Sequence, residues 1–366
     1  MARRISMSEL QIGQVLTWNL LDAQGDVVMR RGEILSDQAR LHSLLQSGLF
    51  TEQPALAEGS VLRSLNSIDS KLERLLLNLG QLPNAQQELL RLAQQLIQAV
   101  DLNHEIALAC ILLNQIAGSY AIRHCVETAI VAHLVACAMG KTPDEQQRIV
   151  AATLTMNIGM LRHQEQLQSS RQVLSSEERQ LVFHHPEESA TLLKHAGIED
   201  SEWVSYVLAH HECDDGSGYP YGKDMNDIPE NAKIISQADR YCALISARNY
   251  RKSMLPNLAL QELFVSKPSG LDPKLIGPFI QQLSPYPPGT FVRLKNGEIG
   301  VVSKRPTTDS VVQVHALVSP SGIPLLPFPV VREADGPLFQ IREALHEDEA
   351  DIRFSMKQIW GQQASL

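Results

Sequence analysis

The chain has 366 residues, 44% of them apolar and 20% charged, which is enough for two or three domains around a sizeable core. Its formal net charge of -9 excludes the basic surface that non-specific nucleic-acid or anionic-membrane binding requires. Five scattered cysteines (Cys110, Cys125, Cys137, Cys213 and Cys242), with no CxxC pair, exclude a disulfide framework and read as reduced core thiols.

The N-terminus, Met1-Ala-Arg-Arg-Ile-Ser, lacks the apolar run of a signal peptide. Residues 1–52 read as a small α+β module. In it Val15–Trp18 and Val27–Met29 flank a hairpin loop at Asp22–Asp26, and Ser36 caps a helix carrying Leu41, Leu44 and Leu45. Residues 53–117 read as a linker and leading helices, with apolar stripes at Leu72, Leu75, Leu76 and Leu79 and at Leu89, Leu90, Leu92 and Leu96. The most apolar stretch, Ile106–Ile116, is too short to cross a bilayer, so a cytoplasmic protein with neither DNA nor membrane as partner is expected.

Residues 118–284 keep the helical period. Thr142-Pro143-Asp144-Glu145 and Ser175-Ser176-Glu177-Glu178 are helix starts, with acids in the first turn, and Pro143 stands at a first helical position. Ser284–Gly289 ends the helical region. Residues 285–345 read as a β-rich module, a small β-barrel of SH3-like size. Its expected strands are Phe291–Leu294 and Ile299–Val302, joined through Asn296-Gly297, then Val311–Val318 and Leu325–Val331. Residues 346–366 have the composition of an acidic, frayed tail.

Eight of the twelve histidines fall between His124 and His211. His133, His163 and His195 sit in helical or polar surroundings and read as surface or core-edge imidazoles. His184 and His185 are adjacent, and the Pro186-Glu187 that follows favours His185 as the ordered one. His210 and His211 are adjacent imidazoles, good ligands for borderline metals, and a glycine-rich turn ending in Tyr219-Pro220 follows them.

From Tyr120 to Lys252, a little over a third of its length, the chain resembles the HD-GYP domain. That family is a helical, metal-dependent phosphodiesterase module acting on the bacterial second messenger cyclic di-GMP. His-His-Glu-x-x-Asp-Gly-Ser-Gly-Tyr-Pro is present without a gap from His210 to Pro220. Arg123-His124, His185-Pro186-Glu187, Ile228-Pro229, Ala232-Lys233-Ile234, Ala238-Asp239 and Arg248-Asn-Tyr-Arg251 follow the family's course. The resemblance implies a mainly α fold, an HD-type helical bundle with a small N-terminal α+β module and a C-terminal β-barrel-like extension.

The departures bear on function. Where the family carries His-Asp-Ile-Gly-Lys, this chain has Met156-Asn157-Ile158-Gly159-Met160, and the intact Ile-Gly fixes the register. The ligand histidine is therefore Met156, the metal-bridging aspartate Asn157 and the phosphate-facing lysine Met160. Two further acidic positions of some members are Tyr120 and Cys242. The resemblance implies a first metal on His124 and Asp239 that has lost about half its ligands, and a second on His185, His210 and His211. At most one divalent ion (Zn, Mn or Fe) is expected, or none; residual hydrolysis would use that single ion or a substitute ligand such as His163. Arg248, Arg251 and Tyr219, with Asp215, Gly216, Gly218 and Pro220 of the loop, are the residues the resemblance implies for binding cyclic di-GMP. The Gly218-Tyr219-Pro220 loop is implied as a docking surface for diguanylate cyclase (GGDEF) domains, and the sequence leaves a homodimer open. Three functions follow: an inactive or weakly active cyclic di-GMP receptor or signalling partner, a phosphodiesterase with residual hydrolysis to linear dinucleotide or GMP, and a scaffold that binds only protein.

Overall fold

The computed structural model describes residues 3–4, 20–22, 26–30, 33, 50–51, 59–164, 175–246, 252–266, 272–327 and 329–366. The chain divides into two compact units, residues 1–59 with 326–328, and residues 60–325 with 329–366.

In the first unit, β1 (Arg3–Arg4), β2 (Leu20–Leu21), β3 (Val27–Met29) and β4 (Phe50–Thr51) form an antiparallel sheet in the order β1-β4-β2-β3. Leu20, Leu21 and Met29 are buried, and the Asp22 carboxylate accepts the Asp26 N–H at 2.9 Å to close the expected hairpin loop. The strand leading into that loop is Leu20–Leu21. The strand expected at Val15–Trp18, the helix expected after Ser36 and most of the expected linker lie outside the described residues.

The second unit is built on helices. α1 (Val61–Leu77), α2 (Ala85–Leu102) and α3 (His104–Leu112) lead into α4 (Tyr120–Ala138) and α5 (Pro143–Thr155). A 3-10 turn at Ile158–Met160 precedes α6 (Ser176–His195), α7 (Ser201–Ala209), α8 (Glu230–Ile245), α9 (Pro256–Gln261) and α10 (Pro273–Leu283). α5 and α6 begin at the predicted places with complete capping boxes, Thr142 with Glu145 and Ser175 with Glu178. No break in packing falls between residues 117 and 118. Leu65, Leu72 and Leu96 of the leading helices share one apolar core with Ile130, Trp203 and Tyr241. α4 runs through it. Among the described residues this helix alone is long and apolar enough by length and composition to cross a membrane, but most of it is buried as the centre of the core.

The C-terminal part carries an antiparallel sheet of β5 (Phe291–Leu294), β6 (Ile299–Lys304), β7 (Gln313–Val318), β8 (Val330–Glu333) and β9 (Ile341–Leu345). Their order is β8-β7-β6-β5-β9, and the register shifts at Arg293/Leu294 in β5 and at two places in β6. The expected final strand starts late, at Val330, and β9 was not anticipated. The Asn296-Gly297 turn is not type I′, because of the two residues only Gly297 has a positive φ, of 94°. Asn296 instead uses its side-chain oxygen to accept the Glu298 N–H at 3.0 Å.

The residues expected to fray are folded. α11 (Glu347–Ala350) and α12 (Met356–Trp360) bring Met356 and Ala364 into the helical core. The Ser60 hydroxyl donates to the Ser365 carbonyl, Arg63 donates to the Leu366 carbonyl at 2.7 Å, and the Trp360 indole donates to the Ser303 carbonyl at 3.0 Å.

Candidate metal centre and ligand cleft

Two backbone irregularities aim the central histidines. Pro186 sits inside α6, and because it has no N–H the Val182 carbonyl one turn earlier loses its helical donor. The His185 ring takes that place, donating Nδ1–H to Val182 O at 2.7 Å. His210 stands at the C-terminus of α7, where carbonyls lack helical partners, and its Nδ1–H donates to Val207 O at 2.6 Å. Both rings therefore turn Nε2 inward, and the two nitrogens lie 3.2 Å apart.

With protons on both Nδ1 atoms, the two Nε2 atoms are facing lone pairs, an arrangement that calls for a shared cation. His211 completes the group, its donor nitrogen lying with the others within 4.8 Å. A tetrahedral zinc with Zn–N of about 2.0–2.1 Å holds its nitrogens about 3.3 Å apart, so the donor set fits a single ion of this kind. Burial, then the neighbouring His210, depresses the His185 imidazole to about 3, and burial lowers His210 and His211 as well. All three stay neutral at physiological pH, the form that binds metal.

His124 on α4 and Asp239 on α8 face each other, His124 Nε2 lying 2.8 Å from Asp239 Oδ1, while His124 Nδ1 is buried without a hydrogen-bond partner. The Asp239 charge acts on His185, His210 and His211 as well, so this pair stands beside the three-histidine group. Against the burial that would raise it, the bond and charge of His124 hold the Asp239 carboxyl well below the usual carboxylate range. Tyr120 stacks on His124, ring centroids 5.4 Å apart, where some members of the family it resembles carry an acid. Cys242 is fully buried, its thiol pushed far up by that burial. His163 is exposed and stands outside the three-histidine group. His133 is fully buried on α4 and bonds the Asp101 carboxylate at 2.9 Å.

The Met156–Met160 segment keeps its frame without its donors. A Cβ on Gly159 would lie 2.7 Å from the His185 carbonyl and 2.8 Å from the Ser189 nitrogen, so the 3-10 turn is pressed against α6. Ser189 clamps it, accepting the Gly159 N–H at 2.9 Å and donating to the Met156 carbonyl at 2.8 Å. Met156 is wholly buried and offers only its thioether. Asn157 is buried too, with a side-chain oxygen that has no hydrogen-bond partner. One neutral acceptor thus stands where the resemblance places the bridging anion. Met160 is half-buried and carries no charge.

The glycine-rich loop is held by its own acids. Buried Glu212 accepts the Tyr221 and Lys223 N–H groups, each at 2.9 Å, and the Lys233 ammonium binds Asp214 at 2.8 Å and the Met225 carbonyl at 3.1 Å. The Asp215 carboxylate is engaged by Ser217, through its N–H at 3.0 Å and its hydroxyl at 2.6 Å. Gly216 has φ of 74°, a left-handed turn. Gly218 has no room for a side chain, since a Cβ would lie 2.3 Å from the Cys213 nitrogen. These contacts place Asp215, Gly216 and Gly218 in the loop's architecture.

Tyr219 precedes a cis bond to Pro220, donates its N–H to the His211 carbonyl at 3.1 Å and stacks on the His211 ring at 4.6 Å. Phe183 of α6 also stacks on Tyr219, at 4.9 Å. Phe183, Ser189 and Glu212 were not singled out from the sequence. Glu212 could have been, as the acid inside the His-His-Glu motif. Arg240, next to Asp239, brings its charge near His211 and Asp215. Arg248 and Arg251 lie outside the described residues.

Residues 119–275 match the model of the HD domain family. Over 208 residues the chain is 30% identical to a cyclic di-GMP phosphodiesterase of Pseudomonas aeruginosa, covering 56% of this chain and 50% of that protein. Over 188 residues it is 25% identical to the cyclic di-GMP phosphodiesterase PdeB of Borreliella burgdorferi, covering 51% and 49%. The chain thus spans about half the length of these relatives. A solved HDG"Y"P protein from Bdellovibrio bacteriovorus superposes with a TM-score of 0.50 over 77% of this chain and 99% of that one, at 16% identity, a likeness of fold.

Proposed function

Because this chain belongs to the HD-GYP family, we propose that it is a cytoplasmic cyclic di-GMP receptor whose hydrolytic centre is degenerate and holds at most one divalent cation. The observation that carries the reading is Asn157, a buried neutral amide at the bridging position, in a segment whose frame on α6 is otherwise intact. His185, His210 and His211 would hold the ion, which when bound supplies an electrophile for a phosphate oxygen. The chain's own part is to orient. Val182 and Val207 fix the tautomers of His185 and His210, Glu212 and Lys233 brace the loop, and Tyr219 covers His211. With Met160 in the lysine position one phosphate contact is lost, so affinity should fall below that of active members.

A second reading, residual hydrolysis of cyclic di-GMP to linear dinucleotide or GMP, is favoured by the complete three-histidine group. A third, a scaffold docking a GGDEF-domain protein or a second copy without nucleotide, draws on the braced Gly218-Tyr219-Pro220 loop. Calorimetric titration with cyclic di-GMP, followed by chromatography of the incubated nucleotide, separates the three. Binding without conversion is the expected result. Conversion that disappears in His185→Ala favours the second reading, and no binding the third.

A further inference from the structure

An aromatic ladder runs out of the metal centre and ends in solvent. His211, Tyr219 and Phe183 lie ring on ring, with centroid spacings of 4.6 and 4.9 Å and interplanar angles of 27° and 23°. The inner rung is one of the three candidate ligands. The outer rung, Phe183, is 45% exposed and stands two residues before His185 on α6. His184 meets it only edge-on, 5.8 Å away at 75°. Tyr219 covers one face of Phe183, and the exposed remainder is apolar surface that gains free energy when a flat partner covers it.

We infer that Phe183 is a stacking platform for a purine base, adding a fourth ring to the ladder and holding one nucleobase of a cyclic dinucleotide beside the three-histidine group. This rests on the receptor reading above. A purine suits the platform because its two fused rings overlap a phenyl face more fully than a pyrimidine does, and every purine has a π-face to offer. The ladder includes His211, so a base stacked on its outer end is joined to the cation site through Tyr219.

The test is calorimetric titration of the full chain with cyclic di-GMP, for wild type, Phe183→Ala, Phe183→Leu and Phe183→Trp, with metal content measured on each. Phe183→Trp is also titrated with GMP while its tryptophan emission is followed against wild type. Phe183→Ala and Phe183→Leu should weaken binding about tenfold or more, as loss of a base–aromatic stack does. Phe183→Trp should bind within about threefold of wild type, its added emission quenched by GMP, and metal content should stay constant throughout. If wild type binds and Phe183→Ala binds equally well, the platform is rejected while the receptor reading stands. If wild type does not bind cyclic di-GMP but GMP quenches the Phe183→Trp emission, the receptor reading falls and the placing of a cyclic dinucleotide on Phe183 falls with it, and purine stacking alone is upheld. Neither binding nor quenching rejects both.

Discussion

Asn157 has nearly the shape of the aspartate that the resemblance places at this position and none of its charge. Two cations about 3.5–4 Å apart, the spacing of two-metal phosphodiesterases, repel strongly, and an anion between them offsets that repulsion. An amide oxygen contributes only a dipole, and the Met156 thioether is a soft donor unsuited to the iron or manganese of such sites. Restoring Met156→His, Asn157→Asp and Met160→Lys together should therefore add a second equivalent of metal and raise cyclic di-GMP hydrolysis at least about tenfold. Metal analysis and chromatography of the product check it, and a triple variant with neither gain would show that the loss lies deeper in the cleft. The departures proposed at Met156, Asn157 and Met160 were read from the sequence alone, where Ile158-Gly159 sets the register of the resemblance. Phe183 was not, since one phenylalanine in a helix is an ordinary apolar residue until its neighbours are seen. The tautomers of His185 and His210 were equally hidden, because they depend on carbonyls that only the folded backbone frees.

Gly159 shows how one element positions the next. A methyl group there meets backbone atoms of α6 at 2.7 and 2.8 Å, and neither can move alone. Gly159→Ala should cost about 1–3 kcal/mol of stability, measured by denaturant unfolding, and should disturb His185 through its carbonyl. Gly218→Ala, at 2.3 Å from the Cys213 nitrogen, should instead unseat the loop and with it Tyr219, lowering cyclic di-GMP affinity while circular dichroism shows the helices retained. Unchanged unfolding midpoint in the first variant, or unchanged affinity in the second, would contradict these roles. Local chemistry made the helix starts legible, since Thr142-Pro143 and Ser175 announce capping boxes in a few residues. β9 was missed because its five residues, Ile-Arg-Glu-Ala-Leu, are largely solvated and pair only with β5, so their pattern is weak. The C-terminal helices were read as frayed from their charge, whereas Met356, Trp360 and Ala364 are what dock them.

At the scale of the second unit, the leading helices and the metal-site helices share one core, and buried charge lies on their seam. Asp69 of α1 packs against Gly118, and Arg123 of α4 pairs with Glu127 at 3.5 Å. Burial, reinforced by Glu73, raises the Asp69 carboxyl to about 7, and burial raises Glu127 to about 7 despite Arg123. The folded chain then holds protons that the unfolded chain, with ordinary carboxyls, has released, so stability falls as pH rises from about 4 through 7. Asp69→Asn should flatten that decline and stabilise the chain by on the order of 2 kcal/mol at pH 8 and by less than half as much at pH 5, read from unfolding midpoints at both values. Equal midpoints for variant and wild type at pH 8 would show that Asp69 carries no such cost. This seam was not legible in the sequence, where Asp69 is one polar residue among others on an amphipathic helix. How many ions the chain can hold separates a degenerate centre from an intact one. Elemental analysis of the purified chain, with manganese, iron or zinc supplied in excess and the unbound ion removed, tests it directly. The predicted result is no more than one divalent ion per chain, lost in His210→Ala; two tightly held ions per chain in the wild type would contradict it.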